Sequence, residues 1–239
     1  MDLEALGGER LGRRLRELRA GSGKSLRAVA RELGISASAV SQIERGTMRP
    51  SVSRLIAYTA AIGVPLAAVF EEPSAAGSSA GATARSAAGS AAGSAAGSAV
   101  GATAGSAAGV ASGSVAGSVS RPAPVPGLAV RRAGEVAPIV LGGGVSFRRL
   151  SPGATPDVEF FESTYPPHAV STAHGSFLRH EGYEVGTVTA GELTIEFESE
   201  VVTLAAGDSI TFPCSRPHSI GNRSATVTAV ATWLIVHAR

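Results

Sequence analysis

At 239 residues, 44% of them apolar and only 5% aromatic, the chain can fill one or two hydrophobic cores, partly with low-area alanine. A formal charge of +2 is too small to name a polyanionic partner, and one cysteine, Cys214, excludes an internal disulfide and fits a reducing compartment. Nothing approaches the run of about 18 strongly apolar residues that spans a bilayer, and the start, with Asp2 and Glu4, lacks a secretory leader's basic-then-apolar layout, so a cytoplasmic protein is expected.

Charge is unevenly spread. Residues 1–72 hold 11 Arg or Lys against 8 Asp or Glu, and residues 121–239 hold 9 against 11, a balance that suits a polyanion-binding module at the front. Leu11, Leu15 and Leu18 recur at helical spacing and predict a first helix. Ser25 precedes a second carrying Leu26, Val29, Ala30 and Leu33, broken by Gly34. Ser36 is an N-cap for a third with Val40 and Ile43, which Gly46 ends. Pro50-Ser51 opens a fourth with Leu55, Ile56 and Tyr58, closed by Gly63, and Pro65 starts a short fifth that ends near Phe70.

Residues 73–120 are almost wholly Ala, Gly and Ser, with SAAG repeating through 86–97. Glycine at every fourth position costs each helical turn about 1 kcal/mol relative to alanine, and no large side chain offsets the ordering entropy. The stretch reads as a disordered, flexible linker with a root-mean-square span on the order of 35–42 Å; a marginal Ala-rich helix is the alternative. Beyond it the period changes. Leu193, Ile195 and Phe197 alternate with Thr194, Glu196 and Glu198, Ile210 and Phe212 alternate likewise, and Val227–Val236 is apolar enough for a strand buried on both faces. Short strands between Gly, Pro and Asn clusters predict an all-β sandwich or barrel over 121–239.

Two short helices joined by Gly34-Ile35-Ser36 have the layout of a helix-turn-helix. The run SLRAVARELGISASAVSQIERG at 25–46, with Arg49-Pro50-Ser51 and the helix that follows, resembles the XRE (lambda-repressor-like) family over residues 11–70. That resemblance implies a DNA-binding domain at 8–72 whose third helix enters the major groove. Its exposed face offers Ser36, Ala37, Ser38, Ser41 and Gln42: glutamine can pair bidentately with adenine, and the serines can reach base edges or phosphates. Arg45 and Arg49, at and beyond the helix end, are candidate phosphate contacts. The family pattern implies a structural salt bridge between Glu44 and Arg19, and often has glutamine where Leu26 stands, which implies a different set of phosphate contacts here. A helical bundle that binds protein instead of DNA is the bland reading.

HEGYEVGTVTAG at 180–191 and GDSITFPCSRPHSIGN at 207–222 resemble the paired motifs of cupins, which implies a double-stranded β-helix, or jelly-roll, barrel. His180 and Glu184, four apart, are expected on one strand pointing inward, with His218 from an opposing strand. Two imidazoles and a carboxylate form a set with open positions for a divalent transition metal: Fe, Mn, Ni or Zn. The full cupin set has another histidine where Leu178 stands, and His174 is the nearest substitute. The alternative is a metal-free barrel in which these groups hydrogen-bond an organic ligand. Arg179 and Arg216 near the barrel mouth would favour an anionic effector, though surface arginine is the default. Cys214 is read as a small buried hydrophobe rather than a redox thiol, and His168 and His237 as incidental.

The combined expectation is a transcription regulator, a repressor rather than an activator, whose partners are a double-stranded DNA operator, a small-molecule or metal effector, and a second copy held through the barrel. Coupling across 73–120 would work by effective concentration or domain contacts. The alternative is an enzyme, a cupin-type metal-dependent oxygenase or epoxidase with an attached helix-turn-helix; a protein-interaction adaptor is a third reading.

Overall fold

The computed structural model describes residues 3–71, 128–132, 134, 137–153, 155, 157–172 and 176–237. The linker reading and the His174 candidate lie outside them. Four α-helices come first, α1 (Leu3–Gly21), α2 (Leu26–Glu32), α3 (Ala37–Glu44) and α4 (Val52–Ile62), then a 3₁₀ turn at Leu66–Phe70 where the fifth helix is predicted. The caps are where the sequence puts them. Ser25, Ser36 and Ser51 accept from the amides of Ala28, Ala39 and Arg54, and Gly63 leaves α4 at φ 72°. Leu11, Leu15, Val29, Val40, Ile43 and Leu55 are buried together, each contributing on the order of 1.5–3 kcal/mol. Gly12 sets the closest approach: a Cβ there would stand 2.5 Å from the Ile43 carbonyl oxygen, so α1 crosses the end of α3 with no side chain between.

Nine strands follow: β1 (Ile139–Val140), β2 (Ser146–Arg149), β3 (Val158–Tyr165), β4 (Tyr183–Ala190), β5 (Glu192–Phe197), β6 (Val201–Ala205), β7 (Ser209–Pro213), β8 (His218–Gly221) and β9 (Ala229–Val236). They form a six-stranded sheet in the order β1-β2-β3-β9-β4-β7 and a three-stranded sheet β6-β5-β8, a two-layer jelly roll with inward residues sealing the core. Expected as buried on both faces, β9 instead alternates: Ala229, Ala231, Trp233 and Ile235 are buried, whereas Val230, Thr232, Leu234 and Val236 are half-buried. An antiparallel sheet can leave one face toward water, and the outward apolar residues of β9 stay partly exposed. Trp233 donates its indole N–H to Ser163 Oγ at 2.8 Å. Its ring lies over Gly186, where a Cβ would fall 2.2 Å from the ring.

Helices and barrel touch directly. The Gly142 amide donates to the Pro50 carbonyl at 2.8 Å, and the Ser53 amide to the Ser171 carbonyl at 3.0 Å. The Ala67 amide donates to Glu159 Oε1 at 3.0 Å, and the Phe70 and Phe161 rings meet at 5.4 Å. Among the described residues, no helix is long and apolar enough to cross a membrane.

Candidate nucleic-acid interface and metal centre

Helix α3 has two unlike faces. Val40, Ile43 and Glu44 are buried, while Ser38, Ser41, Gln42 and Arg45, at offsets of three, four and seven, form one stripe outside that core. Ser38 and Arg45 are exposed, and Ser41 and Gln42 half-buried. Arg45, the C-cap residue, donates from Nη1 to Ser41 Oγ along the stripe. The remaining candidates lie at its edges. Ser36 Oγ accepts from the Ala39 amide at 3.1 Å as a cap, Ala37 leans partly on the core, and Arg49 is half-buried beside Gly8 of α1.

A bidentate lock fixes the far end of α3. Arg19 Nε donates to Glu44 Oε1 at 2.6 Å and Nη2 to Oε2 at 2.8 Å; Tyr58 from α4 adds its hydroxyl to Oε1 at 2.7 Å. Burial alone would raise the Glu44 carboxyl, but the hydrogen bonds from Arg19 and Tyr58 and the guanidinium charge outweigh it and hold the group below its usual range. The Glu44 hydrogen bond raises Arg19 in turn. Burial, followed by the Glu44 hydrogen bond, pushes the Tyr58 phenol up. Three helices thus meet at one carboxylate.

Within the barrel, ligand atoms of His180, Glu184 and His218 all lie within 4.8 Å of one another. His180 Nε2 is 3.0 Å from Glu184 Oε1, and His218 Nε2 is 3.7 Å from the same oxygen. Each ring's other nitrogen faces a backbone carbonyl, Nδ1 of His180 on Glu181 O at 3.1 Å and Nδ1 of His218 on Arg216 O at 2.9 Å. A carbonyl only accepts, so both Nδ1 atoms carry a hydrogen, and in the neutral rings both Nε2 lone pairs turn toward the carboxylate. His218 Nε2 is buried with no hydrogen-bond partner. Three electron-pair donors converging at one point suit a cation between them, either a proton or a metal ion, and the donor set fits a divalent transition metal. Burial would raise Glu184, yet the two imidazoles that face it, once protonated, bring it down to about 2. Burial would lower His218, and the Glu184 carboxylate facing it raises it instead.

Comparison with known proteins bears on both sites. Residues 10–70 match the model of the helix-turn-helix domain, and residues 161–235 that of the cupin domain. The HTH-type transcriptional regulator PuuR of Escherichia coli (strain K12) is 25% identical over 220 residues, covering 90% of this chain and 89% of the relative. The crystal structure of an HTH_3 family transcriptional regulator from Vibrio cholerae matches 99% of both chains with a TM-score of 0.57 at 18% identity, a likeness of fold. The chain is an XRE-type helix-turn-helix transcription regulator with a cupin domain.

Several residues of the regulator differ from their expected places. His180 is not on the strand that carries Glu184: β4 begins at Tyr183, and the backbone turns at Gly182, φ 97°, where a Cβ would sit 2.3 Å from the Val236 carbonyl oxygen. The turn brings His180 to the cluster from a loop. Arg216 is no free mouth cation, because it pairs with Glu200 at 2.6 Å and lies 3.9 Å over the Phe197 ring. Leu178 exchanges both backbone hydrogen bonds with His218 and is buried, so an apolar wall stands where a further imidazole would. Tyr58 was missed as a polar residue; its signal is a tyrosine on a buried helical face, whose hydroxyl needs a partner.

Proposed function

We propose that the regulator reads an operator with the Ser38–Ser41–Gln42–Arg45 stripe of α3 and that its barrel senses a small effector and does no chemistry. The observation that supports it most is that stripe: four polar side chains at groove-reading spacing on one face, held by a buried lock on the other. Gln42 and Ser38 take base edges; Arg45 and Arg49 take phosphates. Ser36 and Ala37, committed to the cap and the core edge, serve the start of the helix more than base readout. We read the protein as a cytoplasmic repressor. His180, Glu184 and His218 would hold a divalent transition metal as a Lewis-acidic anchor for the effector. Elemental analysis of protein purified without a chelator or a histidine tag should then find about one metal per chain, lost in His218→Ala.

Two copies are expected per operator. The outer face of the large sheet supports the barrel as their joint, because Phe160, Leu234 and Val185 are in lateral register across β3, β9 and β4, with Phe160 and Val185 exposed. Selection from random duplexes tests the reading. It should enrich a palindrome with half-sites about one helical turn apart; enrichment of no sequence refutes it.

A further inference from the structure

Helix α4 faces two ways. Leu55, Tyr58 and Ile62 belong to the helical core, and Tyr58 grips Glu44 of α3. Val52 and Ile56 instead meet the barrel, where they line a space of about 20 Å³ with Glu184, His218 and Trp233. Ile56 also lines a wider cleft of about 600 Å³, whose other walls include Leu66, Glu159, His180, Ile235 and His237. The first space holds a water or a bare ion; the second has the size of small-ligand pockets.

The cleft has unlike walls. The helical side offers Ile56, Val64 and Leu66, and the barrel side is polar, with Glu159 and two imidazoles beside Asp157, Arg179 and Glu181. Glu159 is only 3% exposed, and one of its oxygens already accepts from the Ala67 amide. Its Oε2 lies 3.6 Å from His237 Nε2, too far for a hydrogen bond, and that buried nitrogen has no hydrogen-bond partner. A carboxylate and an imidazole set just beyond hydrogen-bond distance of each other leave polar atoms in the cleft wall that a polar group of an occupant can satisfy.

We propose that this cleft is the sensing site and that it takes a small amphipathic molecule, with an N–H or O–H donor for Glu159 and His237 and an apolar side for Ile56. The DNA-binding domain is therefore a wall of the effector site. An occupant presses on α4 and, through Tyr58 and Glu44, on α3, without any signal passing through residues 73–120. The inference rests on the regulator reading for its consequence and not for its test.

Trp233, the only tryptophan, lines the adjoining space, whose walls share Ile56 and Ile235 with the cleft, and reports on the cleft through them. Full-length protein is titrated, without DNA, with hexylamine and hexan-1-ol as donor-bearing probes and with hexan-2-one as the neutral, donor-less control. At least one donor-bearing probe should shift Trp233 emission saturably while hexan-2-one does not. Ile56→Ser should weaken that response at least five-fold, Ile56→Leu should preserve it, and Glu159→Gln, which keeps the acceptor for Ala67, should weaken it again. The proposal is overturned if donor-bearing probes and hexan-2-one act alike, or if folded Ile56→Ser and Glu159→Gln proteins both respond as wild type. A protein that selects no duplex but passes this titration would sink the DNA reading and leave the cleft standing.

Discussion

Arg19→Met is the sharpest test of how the reading helix is held. It removes both hydrogen bonds to Glu44, at 2.6 and 2.8 Å, and leaves a carboxylate whose side chain is 4% exposed with only the Tyr58 hydroxyl. Because the pair is screened from water, the loss is that of a buried ion pair broken on one side, about 3–5 kcal/mol. Removing the other side as well takes the orphan charge away. Arg19→Met with Glu44→Leu should therefore recover to within about 1 kcal/mol of wild type, less the bond Tyr58 loses. Urea unfolding followed by far-ultraviolet circular dichroism measures all three proteins, and comparison with Glu44→Leu alone completes the cycle. A cost below about 1 kcal/mol for Arg19→Met, or a double variant as unstable as the sum of the singles, would contradict the lock.

Other consequences follow from single contacts. Gly186→Ala drives a methyl into the Trp233 ring at 2.2 Å and should cost about 1–3 kcal/mol, seen as a lower urea midpoint and a changed near-ultraviolet tryptophan signal. The Glu44 carboxyl is lower folded than unfolded, so the unfolded chain takes up its proton first. The stability it contributes is complete above its ordinary value of 4.5 and fades as pH falls through the depressed one; Glu44→Gln should flatten that acid limb in a melting series. Burial, and then the Glu184 charge, push the Cys214 thiol up to about 12, and the side chain is buried. Native protein at neutral pH should resist thiol reagents that label the unfolded chain fully. Gly142→Val sets its branches against the carbonyls of Arg49 and Pro50, 3.3 and 3.4 Å from a Cβ, and should raise acrylamide quenching of Trp233 by parting α4 from the barrel.

What could be read in the sequence was what depends on neighbours along the chain. Ser25, Ser36 and Gly63 mark helix ends by local hydrogen bonding and φ, and their caps form where the residues stand. Period-two alternation around Ile195 and Phe212 predicts β5 and β7 for the same reason. The resemblance of 180–191 and 207–222 to the cupin motifs implies that His180, Glu184 and His218 meet, and they do, though a turn at Gly182 delivers His180 from a loop instead of along β4. Contacts between distant segments left no periodic trace. Nothing local tells Tyr58 that its partner is Glu44, or Ala67 that its amide meets Glu159 across 92 residues. The outward half of β9 looked like core because outward apolar residues and buried ones are the same letters.

The account depends on Gln42 meeting a base. Binding of Gln42→Ala should be measured across every single-base variant of the selected operator half-site, beside Arg45→Ala. The expected result is preference relaxed at one base pair, by about 1–3 kcal/mol, for Gln42→Ala, and a uniform loss with a shallower salt dependence for Arg45→Ala. If Gln42→Ala keeps the full wild-type preference at every position, α3 does not read DNA in this way.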